Sequence, residues 1–284
     1  MSDLKTYLAQ RCQIIDAALD QLIPSAETRP VSLHKAMRHS VFAGGKRLRP
    51  ILTLAAAEAC GGSIENAMPS ACAVECLHTY SLIHDDLPCM DDDDMRRGVP
   101  TCHIVYGEAI ALLAGDALQA LAFELTARTP ATSRHATSSL VSELARTAGS
   151  LHLVGGQVAD LEGEQKKLPL EDLRFVHEGK TAALLTTSIK LGAMSADATA
   201  EQLKALHDFG MATGLAFQII DDILQKVEMK LTPDQDRAVE TFFRYHRDEI
   251  GQAVFVLEGA AGTGKTFLIR LLTYFLAKQG YKVA

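Results

Sequence analysis

The run AMPSACAVECLHTYSLIHDDL, Ala67 to Leu87, is apolar on nearly every side and ends on two adjacent carboxylates. A stretch of that length with no polar face reads as a helix buried all round, the central rod of an α-helical fold. It continues directly into PCMDDDDMRRG, Pro88 to Gly98. Six carboxylates, Asp85, Asp86 and Asp91 to Asp94, therefore lie within ten residues, and Arg96 and Arg97 follow at once. Charged carboxylates at the end of a buried helix are costly unless neutralised, and crowding adds repulsion. A divalent cation answers both difficulties. All-oxygen donors suit Mg2+, which keeps waters and shares its shell with substrate phosphates. Arg96 and Arg97 would grip the same phosphates. A solvated acidic loop is the plain alternative. The junction with a buried helix, and a second Asp pair later in the chain, favour the metal.

Outward from this rod the pattern stays helical. Apolar residues recur at helical spacing from Leu4 to Ile23, and Pro24 stops them. Further helices are expected over Ser32–Phe42, Ile51–Cys60 and roughly 107–127, 135–154, 156–164, 171–191 and 199–225. No alternating strand pattern is visible before residue 250. The first 225 residues thus read as an all-α bundle. Leu231 opens a polar amphipathic helix to about Ile250. Ala253–Leu257 (AVFVL) then reads as a buried parallel strand. A helix over Lys265–Gln279 and the start of another strand, Tyr281–Ala284, complete the chain.

Four further clusters carry chemistry. Gly44-Gly45-Lys46-Arg47-Leu48-Arg49-Pro50 joins a glycine turn to three cations at a helix start, a suitable grip for a diphosphate. His78 lies two helical turns before Asp85, on the same face. Lys180 and Thr181, in His177-Glu178-Gly179-Lys180-Thr181, supply a cation and a hydroxyl. In Phe217-Gln218-Ile219-Ile220-Asp221-Asp222, the i,i+4 pair Gln218 and Asp222 and the pair Asp221 and Gln225 share a polar face on an apolar helix. Two acidic helix ends facing one another across a bundle would hold metal between them. Each cluster alone has a bland reading, whether a solvated basic turn, a core histidine or an exposed lysine. Their order along one chain is harder to dismiss.

GGKRLRP, LIHDDLPCMDDDDMRRG, GKT and FQIIDD, in that order, resemble the bacterial trans-isoprenyl diphosphate synthases, in particular the short-chain farnesyl diphosphate synthase group. The resemblance covers residues 1–225. It implies an isoprenoid-synthase-type helical bundle around an apolar cavity, usually a homodimer, that condenses isopentenyl diphosphate with dimethylallyl or geranyl diphosphate. It further implies that Lys46, Arg49, His78 and Arg97 bind the diphosphate of isopentenyl diphosphate. Asp85 and Asp91 would ligate Mg2+ with support from Asp86, and Asp221 would ligate a further Mg2+. Arg96, Lys180, Thr181 and Gln218 would contact the allylic diphosphate. Tyr80, five residues before Asp85, would floor the cavity and stop growth at farnesyl diphosphate. The family usually continues past FQIIDD with more helices, so the bundle reads as C-terminally truncated and its activity as impaired.

Residues 226–284 read as a separate, partial α/β segment. Gly259-Ala260-Ala261-Gly262-Thr263-Gly264-Lys265-Thr266 fits the P-loop pattern between a strand and a helix. With Leu231-Thr232-Pro233-Asp234-Gln235 upstream, it resembles the opening of a superfamily 1 DNA helicase or related ATPase. There Gln235 would read adenine and the P-loop would bind ATP. The rival reading of the whole chain is therefore an ATP-binding helicase fragment, or an inactive hybrid joined near 225–229.

Charge supports the division. Residues 1–225 carry 19 Lys and Arg against 28 Asp and Glu, a net −9, whereas residues 226–284 carry 9 against 7, a net +2. The overall charge of −7 argues against general nucleic-acid binding. At 48% hydrophobic, 284 residues can bury a proper core in one or two domains. Six cysteines without a CxxC pair suggest reduced core thiols, and no uninterrupted apolar stretch reaches membrane length; both point to a cytoplasmic protein.

Overall fold

The computed structural model describes residues 4–163, 171, 175–176, 179 and 182–228, with side chains described at 6–163, 171, 175–176, 179 and 182–214. The elements run α1 (Leu4–Leu22), α2 (Val31–Val41), α3 (Leu48–Ala59), α4 (Ile64–Asp85), β1 (Met95–Arg96), β2 (Val99–Pro100), α5 (Cys102–Tyr106), α6 (Glu108–Ala127), α7 (Thr137–Ala148) and α8 (Leu153–Gly163), followed by α9 (Ala183–Ser195) and α10 (Ala200–Glu228). Two compact units divide the chain, Met1–Gly214 and Leu215–Ala284. The helix α10 runs unbroken through Gln225 to Glu228.

The first unit is built on α4, as the run Ala67–Leu87 predicts. Ser63 caps the helix by accepting from the Asn66 amide at 3.3 Å, and Glu65 sits in the first turn, where the helix dipole favours an acid. α4 buries residues on every face and packs against α3, α6 and α9. α9 is buried along almost its whole length. Its approach to α3 is so close that a Cβ on Gly192 would stand 1.9 Å from the Thr53 carbonyl oxygen. Backbone, not side chain, fills that contact, so glycine is required there.

Four expectations need correction. Residues 95–100 form an antiparallel hairpin, Met95 opposite Pro100 and Arg96 opposite Val99. Arg97 and Gly98 both take positive φ, the signature of a tight two-residue hairpin turn. Strands of two residues are too short for alternation to show in the sequence. α3 begins three residues earlier than Ile51, with Pro50 inside its first turn, where its missing N–H costs nothing. The expected helix 135–154 is two helices, because α7 stops at Ala148 and α8 begins at Leu153. Finally, α6 is long and apolar enough to cross a membrane by length and composition. It instead supplies Ala111, Ala114, Leu118, Ala122 and Leu125 to the core. The cysteines are all free among the described residues; Cys72, Cys76 and Cys102 are buried, but Cys89 is exposed in the acidic loop.

Candidate active site

A cavity of about 360 Å³ opens along the C-terminal half of α4. Arg49, His78 and Asp85 line it, together with Tyr80 and His84. The opposite lining comes from α8, where Leu153, Val154, Gln157, Val158 and Leu161 follow helical spacing along one side. The cavity therefore combines a cation, two imidazoles and a carboxylate with an apolar wall. The contribution of α8 was not anticipated, because its 11 residues show no strong polar face from which an orientation could be read.

The glycine–basic loop sits against the turn of the hairpin. The Arg97 guanidinium donates to the Gly44 carbonyl oxygen. It lies close over Gly45, whose φ of +137 is the conformation that favours glycine. Two motifs far apart in sequence thus converge. Lys46 is exposed in this loop, and its carbonyl accepts from Cys12 Sγ at 3.5 Å.

Arg47 takes a different role from its neighbours. It is 4% exposed and has φ +49, a left-handed conformation for a non-glycine residue. Its Nε donates to Asp16 Oδ1 at 2.7 Å, its Nη1 to Glu75 Oε1 at 2.7 Å and its Nη2 to the Val41 carbonyl at 2.8 Å. Burial works against its charge, but Glu75 and Asp16 hold it above the ordinary value. Glu75 is the only Asp, Glu, Lys or Arg between Ala67 and His84. That isolation in an apolar run was the available signal for a buried partner.

Arg49 and Arg97 are less well compensated. Arg49 Nε is buried without a hydrogen-bond partner. Burial pushes Arg49 down, Glu75 opposes this, and Arg97 adds to it. Arg97 is pushed down in the same way, by burial and by Arg47 and Arg96, against the pull of Glu75. His78 feels burial first and then the charges of Arg49, Arg97, Arg96 and Arg47, and is held well below its ordinary value. The imidazole is therefore neutral at pH 7. Of these four guanidiniums Arg47 and Arg96 are paired with carboxylates, so the positive potential beside the neutral histidine that suits an anion comes from Arg49 and Arg97.

The acidic loop folds back on the end of α4, with the Asp91 amide donating to the Asp85 carbonyl at 2.9 Å. Asp86 is buried, and its Oδ1 accepts from Arg96 Nε at 2.5 Å; Arg96 also reaches Asp93 at 3.2 Å. Burial raises Asp86 against the pull of Arg96. For Arg96, burial acts against the charge, yet Asp86, Asp93 and Asp85 hold it above the ordinary value. Arg96 and Arg97 line a second, water-sized cavity of about 30 Å³ beside Asp86, not the larger one. Asp91 to Asp94 are exposed.

Among the described residues no three His, Cys, Asp or Glu side chains converge on one point. Asp85 lines the cavity and Asp91 is tied back to Asp85 through its amide, and an Mg2+ shell needs only one or two protein carboxylates when phosphates and waters complete it. Lys180 and Thr181 lie outside the described residues, as do the side chains of Gln218 and Asp221. The nucleotide-site residues Gln235, Gly259, Gly262, Gly264, Lys265 and Thr266 also lie outside them.

Residues 30–232 match the polyprenyl synthetase family. The large subunit 1 of the chloroplastic heterodimeric geranylgeranyl pyrophosphate synthase of Arabidopsis thaliana is 48% identical over 230 residues, covering 78% of this chain and 61% of that protein. A dimethylallyltranstransferase of Fischerella ambigua is 47% identical over 244 residues, covering 84% and 70%. The chain thus spans about three fifths of the length of the first curated relatives it matches. Among solved structures, an apo FPP/GFPP synthase from Zymomonas mobilis superposes with a TM-score of 0.76 at 32% identity, covering 97% of this chain and 98% of that one.

Proposed function

Because the chain belongs to the polyprenyl synthetase family, with the isoprenoid-synthase helical fold, we propose that it condenses isopentenyl diphosphate with an allylic diphosphate and releases pyrophosphate. The observation that carries this reading is the cavity shared by Arg49, His78, Asp85 and an apolar wall. Arg49, Arg97, Lys46 and neutral His78 hold the diphosphate of isopentenyl diphosphate. Arg49 brings an unmet donor, so the incoming phosphate oxygens relieve a buried polar cost instead of creating one.

Asp85 and Asp91 would hold Mg2+, which would supply positive charge to neutralise the departing pyrophosphate, and Asp221, in the second unit, would ligate a further Mg2+. Asp86 acts by fixing Arg96 beside them. Lys180 and Thr181, and separately Gln218 in the second unit, keep the allylic-diphosphate role that the family resemblance implies. The apolar side chains of α8 exclude water from the allylic cation. The isopentenyl double bond attacks that cation, and the proton lost afterwards leaves with pyrophosphate.

The proposed product is farnesyl diphosphate. Tyr80 is 7% exposed and lines the cavity with Asp85, so it supports a wall that stops elongation early. The test is to supply isopentenyl diphosphate with dimethylallyl or geranyl diphosphate and identify the prenyl product. A dominant geranylgeranyl product would remove Tyr80 as the floor and leave the condensation reading intact.

A homodimer belongs to the same proposal. Ile104, Val105, Leu112 and Leu113 expose a large apolar area on the consecutive helices α5 and α6. Sedimentation equilibrium would read the dimer, and a monomer at micromolar concentration would refute it. Free thiols throughout the described residues suit a reducing compartment such as the cytoplasm.

A further inference from the structure

We propose that Glu75 is a positioning residue: acting through Arg47, it fixes the turn that presents Lys46 and Arg49 to the pyrophosphate group of the substrate. The inference rests on the reading that this group lies against Lys46, Arg49, His78 and Arg97. Glu75 itself touches no substrate in this arrangement.

The turn at Arg47 is the weak point of the loop. Arg47 stands at φ +49, where a Cβ is disfavoured and glycine is the usual occupant. Such a conformation persists only when the surroundings over-determine it. Here three bonds to one guanidinium do so, from Asp16 on α1, Glu75 on α4 and the Val41 carbonyl at the end of α2. Only the Glu75 bond joins two side chains that are both 3% exposed. The carboxyl of Asp16 is 48% exposed and so screened by water.

Position reinforces the assignment. Glu75 lies one helical turn before His78, which lines the cavity. Arg47 lies between Lys46 and Arg49 and is the N-cap of α3, of which Arg49 is the second residue. A shift of Arg47 therefore moves both cations relative to His78. Glu75 also attracts Arg49 and Arg97. A pure counter-charge role, in which Glu75 only offsets the crowded arginines, is the alternative to positioning.

Positioning and counter-charge predict opposite results for two conservative variants. Glu75→Gln keeps the reach and the acceptor but removes the charge. Glu75→Asp keeps the charge but shortens the reach by one methylene, pulling Arg47 out of its turn. Binding of inorganic pyrophosphate in metal-free buffer, by titration calorimetry on the full chain, separates them. We expect Glu75→Asp to weaken binding by about tenfold, the value of one charged hydrogen bond, and Glu75→Gln to stay within a few-fold of wild type. Glu75→Ala should be weakest where it folds, as checked by its circular dichroism melt.

In turnover, Glu75→Asp should raise KM for isopentenyl diphosphate and leave kcat and the allylic KM unchanged. A merely structural lesion would instead lower kcat for every substrate. Tighter pyrophosphate binding by Glu75→Gln, with Glu75→Asp equal to wild type, would overturn the inference in favour of a pure counter-charge. Wild-type protein that fails to bind pyrophosphate would overturn it as well. Wild-type protein that binds pyrophosphate but forms no prenyl product would refute the proposed reaction, and the order of the variants would still decide the role of Glu75.

Discussion

Replacing Arg49 with methionine should separate stability from binding. Arg49 is a cation in a low-dielectric wall, its Nε is buried without a partner, and Arg97 repels it. An unsatisfied buried polar group costs about 1–3 kcal/mol. Methionine fills similar space, has a comparable helix propensity and carries no unmet donor. Loss of the attraction to Glu75 offsets part of the gain. Arg49→Met should therefore melt no lower than wild type and up to several degrees higher, at roughly 2–4 °C per kcal/mol for a chain of this size. Affinity for pyrophosphate should fall at the same time. A hydrogen bond to a charged group is worth about 1.5–3 kcal/mol, which is roughly a 10- to 100-fold loss. Thermal melts and titration calorimetry on one preparation measure both. A variant that is markedly less stable yet binds pyrophosphate normally would refute the reasoning, because Arg49 would then be a structural cation.

His78 is held below its ordinary value near 6.5, so the unfolded chain takes up a proton at a pH where the folded site resists it. The stability His78 contributes is complete above about pH 6.5 and is lost as pH falls towards the lower folded value. The melting temperature of the apo protein should drop in that window, and less so in His78→Gln; parallel curves for the two would exclude His78 as the cause. Tyr80→Ala should lengthen the prenyl product, read by chromatography of the dephosphorylated alcohols, and an unchanged product distribution would count against the floor. Asp85→Ala should reduce turnover by at least ~10²-fold, as removal of a major electrostatic stabiliser does. Asp94→Ala should cost only a few-fold, because its exposed carboxylate lies beyond the motif positions; equal rates for the two variants would sink the division of roles.

The central helix was legible in the sequence because burial on all sides leaves a run without polar periodicity, and Ala67–Leu87 is such a run. The ends of elements were less so. The hairpin at 95–100 depends on two positive-φ residues, of which only Gly98 advertises itself. The division of labour within Lys46-Arg47-Leu48-Arg49 was hidden for a different reason. Its cause is long-range pairing: Arg47 finds Glu75 and Asp16, each about 30 positions away in the chain. Local sequence makes the arginines look alike, and only the fold decides which is buried and satisfied and which is left with an open donor. Arg96 shows the same effect. It reads as a phosphate ligand but is held by Asp86 and Asp93.

The condensation itself is the most direct test. The purified 284-residue chain is mixed with isopentenyl diphosphate, geranyl diphosphate and Mg2+, and pyrophosphate release is followed alongside the prenyl product. The account predicts farnesyl diphosphate and pyrophosphate in equal amounts, with neither formed when isopentenyl diphosphate is omitted or the metal is chelated. Folded protein that binds pyrophosphate yet joins no carbon–carbon bond under these conditions would contradict it.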